Sequence, residues 1–206
     1  MNFMQILLGI GAVGGLTVGG VLGSKYLFKS NKRILRNRLE KEKYKILDFS
    51  KDSEWTTVLE AYNKAKDTQG KRFIDGNGEV QLNDLKESCK SILDGDGDDS
   101  LFNKARKWCV VPRNISERLY DLSLNPLKTN DDTEEKGDKS KWETISRQYE
   151  NDGNKGIKDL SLVGSDKWKA LRDKCKSFFS QDPWSNDYDT NLEVSKDWCV
   201  VEGIKS

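Results

Sequence analysis

The sequence predicts an all-α protein: an N-terminal apolar (transmembrane or signal) helix followed by two homologous small three-helix units. Three observations predict it. An uncharged, glycine-rich run fills residues 3–24. Beyond it, apolar residues recur at helical spacing in short segments. A set of tryptophans, tyrosines and cysteines also recurs in one order, at an offset of 86–90 residues. The expected organisation is an N-terminal transmembrane or signal helix (1–28), a basic juxtamembrane collar (29–50), a first repeat unit (51–125), a linker (126–140) and a second repeat unit (141–206).

In the first element, Gln5 is the only strongly polar side chain between Phe3 and Ser24. Twenty-two helical residues reach roughly 33 Å, enough to cross a bilayer core. Gly11, Gly15, Gly19 and Gly23 recur every fourth residue and fall on one helix face. In lipid such a stripe allows another helix to approach closely, which makes it a candidate membrane-packing and self-association face. Three readings are open: a retained anchor, a secretory signal cleaved near Leu22-Gly23-Ser24, and a buried helix of a soluble body. No basic residue precedes the apolar run, which speaks against a signal.

The collar follows at once. Residues 25–45 hold nine Lys or Arg against two Glu, although the whole chain carries only +1. A basic flank beside an apolar run fits anionic membrane lipid, or simply a solvated end of the anchor. Nucleic acid is not an expected partner, because the rest of the chain is mildly acidic.

Each repeat unit reads as three short helices. In the first unit, Trp55, Val58, Leu59 and Tyr62 lie on one face, with Ser53 as expected N-cap. Leu82, Leu85, Cys89 and Ile92 form the second face, and Leu101, Ala105, Trp108 and Cys109 the third. The second unit answers with Trp142, Ile145 and Tyr149, then Trp168, Leu171, Cys175 and Phe178, then Leu192, Val194, Trp198 and Cys199. Tryptophans that recur in step with the helical period read as core. Leu119, Leu122 and Leu124 are expected to pack back onto the first unit. PLKTNDDTEEKGDKS, residues 126–140, lacks apolar periodicity and reads as linker.

Four cysteines allow three pairings. If one ancestral unit was self-contained, the pairs are Cys89–Cys109 and Cys175–Cys199; four reduced, buried thiols are the alternative. Disulfides persist outside the cytosol. The basic flank after the anchor argues the other way, for a body held inside. The sequence leaves that conflict standing.

The chain has no histidine, which removes His-based acid–base catalysis, Ser-His and Cys-His nucleophile pairs and the commonest zinc ligand. Asp94, Asp96 and Asp98 resemble the start of an EF-hand loop, but position 6 is Asp99 and position 12 is Ala105. The stretch from Asp75 fails likewise, with Val80 and Lys86 at those positions. Both read as acidic turns. Asn114-Ile115-Ser116 matches a glycosylation sequon. No catalytic residue, metal site or cofactor is assigned.

Taken together, the Gly-rich apolar leader, the Lys-rich collar and the pair LNDLKESC…KWCVV and WKALRDKC…DWCVV resemble the paralogous families of uncharacterised proteins in haemotropic mycoplasmas. The resemblance covers nearly the whole chain and implies a small membrane-associated or exported protein. It carries over no functional residues. The function expected is therefore a non-enzymatic, membrane-anchored, surface-exposed interaction or antigen module at the cell membrane, with its C-terminal body extracellular. Its expected partners are membrane lipid, a host-surface protein or antibody, and a second copy through the glycine face. The rival expectation is an inward-facing, membrane-tethered structural protein.

Overall fold

The computed structural model describes residues 34–65, 71–74, 78–130, 133, 137–152 and 156–205. All of them fall in one compact unit, Lys32–Ser206. The apolar run and its glycine face (Gly11, Gly15, Gly19, Gly23) lie outside the described residues. Among the described residues, no helix is long and apolar enough to cross a membrane.

The described chain is all-α, with eight helices and no strand. They are α1 (Leu35–Lys41), α2 (Asp52–Lys64), α3 (Leu82–Leu93), α4 (Asp99–Trp108), α5 (Ile115–Asp121), α6 (Lys139–Asn151), α7 (Lys167–Phe179) and α8 (Tyr188–Trp198), with a 3-10 turn at Val201–Gly203. Apolar side chains at helical spacing bury one stripe of each. Trp55, Val58 and Tyr62 do so on α2, Leu85, Cys89 and Leu93 on α3, and Phe102, Ala105 and Trp108 on α4. Leu59, Leu82, Ile92 and Leu101, expected on these faces, pack only partly buried at their margins. The α2 helix starts two residues earlier than expected, with Lys51 at the N-cap and Ser53 inside the helix.

Among the described residues, each half therefore contributes four helices rather than three. The extra ones, α1 and α5, come from the segments expected to be collar and end of the first unit. Leu35 and Leu39 of α1 are fully buried in the core formed with α2–α4. Ile115, Leu119 and Leu127 are buried with α6–α8, and Leu124 packs against that same core. Leu119 and Leu124 thus serve the second half, not the first. Both short helices close in the same way. Lys43 (φ 61°) and Ser123 (φ 66°) take the left-handed conformation. Their N–H groups reach Glu40 O and Tyr120 O, and the next N–H groups, of Tyr44 and Leu124, reach Leu39 O and Leu119 O. This is the Schellman closure, which satisfies the last free carbonyls of a helix.

The correspondence extends through the halves. Trp55 Nε1 donates to Asp48 O at 2.9 Å, and Trp142 Nε1 to Lys128 O at 2.8 Å. The Tyr62 hydroxyl accepts the N–H of Phe73 at 2.8 Å, and the Tyr149 hydroxyl that of Ile157 at 3.3 Å. Tyr62 meets Trp108 edge to face at 5.0 Å, as Tyr149 meets Trp198 at 5.0 Å. Leu47 N–H bonds Cys109 O and Leu127 N–H bonds Cys199 O, so the segment after each short helix pairs with the residues after each last helix.

One disulfide joins Cys89 to Cys109 and another joins Cys175 to Cys199, with Cα–Cα distances of 5.5 and 5.7 Å. All four residues are fully buried. Each bond ties the middle of one helix to the C-cap of the next. Two close backbone approaches complete the packing. At Gly97 a Cβ would lie 2.5 Å from Leu35 Cδ1, and at Gly203 one would lie 2.2 Å from the Asp197 carbonyl oxygen. At Gly203 the clash is with backbone and glycine is required, whereas at Gly97 a side chain would have to displace the buried Leu35.

Candidate functional site

The two halves have separate apolar cores and meet largely through polar groups. Trp184, from the turn between α7 and α8, crosses into the first half. It stacks on Trp108 at 6.3 Å and donates from Nε1 to Lys107 O at 3.2 Å. Arg106 on α4 makes a bidentate pair with Asp189 on α8, both bonds 2.6 Å long. The Arg106 guanidinium hydrogen bonds hold the Asp189 carboxyl below the usual carboxylate range, against the opposing effect of burial. Tyr188 OH donates to Arg113 O at 2.9 Å, and burial pushes its phenol pKa up.

Arg118 on α5 is buried and reaches across as well. Its guanidinium lies 3.7 Å from the centre of the Tyr44 ring and donates to Glu42 O at 2.6 Å and Lys43 O at 2.8 Å. Its counterpart on α1, Arg38, stays within the first half, over the Phe102 ring at 3.8 Å and paired with Asp99 at 2.7 Å. The position matching Phe102 in the second half is Leu192, which offers no ring to a cation. A near-repeat in sequence thus becomes a one-way clasp in structure.

This junction carries two depressions. A charged cleft of about 640 Å³ is lined by matched positions of both halves, among them Arg38 with Arg118, Asp99 with Asp189, and Arg106 with Lys196. Its charges are mostly paired internally: Lys196 contacts Glu193 at 2.6 Å, and Lys43 Nζ donates to Ser123 Oγ at 3.0 Å. A second groove of about 450 Å³ runs beside the Trp108–Trp184 stack, between α2 and the 182–185 turn.

Described residues of the acidic turn and of the sequon serve the fold. The Asp98 carboxylate accepts the Leu101 N–H and caps α4. Asp94 pairs with Arg36 at 3.2 Å and Asp99 with Arg38, so the acidic turn holds α1, and Gly95 O accepts the Leu35 N–H. Arg36 and Arg38, expected as part of a free basic flank, are therefore engaged by the body. Asn114 of the sequon forms a capping box with Glu117. Among the described residues, no group of three or more acidic or thiol side chains is placed to hold a metal ion. The clasp residues Arg106, Arg118 and Asp189 carry no motif. Trp184 did carry a signal: it has no partner in the repeat alignment, as expected of a residue that serves the junction and not a core.

Comparison of the chain with protein families, with curated proteins and with solved structures finds no match.

Proposed function

We propose that this chain is a non-enzymatic interaction or antigen module, held at the cell membrane by its N-terminal apolar run and presented on the outer surface. Its body is a helical unit copied in tandem. The observation that carries the reading is that each half closes its own core with its own buried disulfide. Such bonds persist in oxidising surroundings and are rare in the cytosol. Small helical units with thin cores gain most from them, which suits a module that must survive outside the cell. The resemblance to paralogous families of haemotropic mycoplasmas agrees with that placement.

The inward-facing alternative rests on one observation, the basic residues Lys25, Lys29, Lys32 and Arg33 that follow the apolar run. Protease treatment of intact cells separates the two. Loss of the body, together with peptide maps showing Cys89–Cys109 and Cys175–Cys199 bridges before reduction, is the expected result. A protected body with four alkylatable thiols means the inward reading is correct.

A further inference from the structure

We propose that the groove beside Trp108 and Trp184 binds a small organic anion, a carboxylate carried on a flat apolar body. The inference does not depend on which side of a membrane the body occupies. The groove's volume of about 450 Å³ falls in the range of small-molecule sites. Its apolar surface comes from half-buried Trp184, backed by the buried Trp108 on which it stacks, with Ala61 and Ala65. Aromatic faces of this kind favour planar partners.

Charge selects an anion. Lys107 lines the groove with its ammonium half-buried and, among the described residues, without a hydrogen-bond or ion-pair partner. Burial lowers its pKa. The Asp189 charge opposes this, while those of Arg106 and Lys71 add to it. Lys71 lines the same groove and donates to Asn186 Oδ1 at 3.0 Å. Of the two carboxylates there, Asp182 Oδ1 is taken by the N–H groups of Trp184 and Ser185, at 2.9 and 3.1 Å, and Glu60 is exposed on α2. A ligand carboxylate gives Lys107 a partner that none of the described residues supplies, at a site already partly stripped of water. In the larger charged cleft the arginines are already engaged, Arg38 and Arg106 by carboxylates and Arg118 by backbone carbonyls.

The test titrates the oxidised full chain, with its tryptophan indoles labelled for NMR, using indole-3-acetate, neutral indole and acetate as probes. The Trp184 Nε1 signal, assigned with Trp184→Phe, is expected to shift and saturate with indole-3-acetate. Lys107→Met should weaken that binding about tenfold, and neutral indole should bind the unaltered chain weaker by a similar factor. The remaining indole signals report whether the variant is folded. If it is not, added sodium chloride serves instead: it should weaken indole-3-acetate and leave indole unaffected. An unmoved Trp184 signal, equal binding of indole and indole-3-acetate, or unchanged affinity in folded Lys107→Met overturns the proposal.

Discussion

Ser195 shows how a single side chain records the relation between the halves. Its hydroxyl is fully buried on α8 and, among the described residues, has no hydrogen-bond partner. The matched position on α4 is Ala105, also fully buried. Burying an unpaired hydroxyl costs about 1–3 kcal/mol. Ser195→Ala therefore installs the first half's solution and is expected to raise stability by about 1 kcal/mol, read as a higher denaturant midpoint with unchanged slope. The Arg38 and Arg118 pair makes the complementary point. The same residue type at matched positions takes opposite roles, because one faces Phe102 and the other faces Tyr44 of the neighbouring half.

At the scale of elements, the short helices α1 and α5 are the least self-sufficient parts, with seven residues each. Helices of that length do not form alone. The two are fixed at their N-termini by different means. For α1, Gly95 O accepts the Leu35 N–H, and the side-chain cap is missing. For α5, Asn114 Oδ1 accepts the Glu117 N–H at 2.8 Å and Glu117 Oε2 accepts the Asn114 N–H at 2.9 Å. Removing that box should be costly, because the clasp residue Arg118 lies within α5. Asn114→Ala is expected to lower stability by about 1 kcal/mol, with amide exchange rising first in residues 115–121. Equal exchange in this helix before and after the substitution means that tertiary contacts alone hold it.

For the whole molecule, separate cores and separate disulfides joined by a polar clasp imply that stability is partitioned. Each disulfide restricts its own half, closing loops separated by 20 and 24 residues. A bridge of this span contributes about 3 kcal/mol by restricting the unfolded chain. The double variant Cys175→Ser with Cys199→Ser should therefore unfold α6–α8 preferentially. Hydrogen exchange is expected to speed up there while α2–α4 keep most of their protection. Equal loss in both halves identifies a single cooperative unit in which the clasp couples the cores tightly. The clasp is also where the two depressions lie, so movement of one half against the other would reshape them.

Much of the body was legible in the residues alone. The all-α class, the faces of α2–α4 and α6–α8 and the core tryptophans follow from side chains repeating at the helical period, a local property of the chain. The place of the short helices in the two cores was hidden because Leu35 and Leu39, or Ile115 and Leu119, make only two apolar turns among charged neighbours. Nothing local separates such a pair from a solvated flank. The clasp was hidden for a stronger reason: Arg106, Arg118 and Asp189 are ordinary charged residues until folding sets them across a junction between positions 75 to 83 residues apart. Sequence by itself determined what each segment prefers to bury and that the pattern recurs. Only the tertiary structure decided which segments share a core, how the halves meet and that Lys107 lies beside a tryptophan stack with no partner among the described residues. Local periodicity sets which side chains leave water, whereas long-range packing sets which groups they meet.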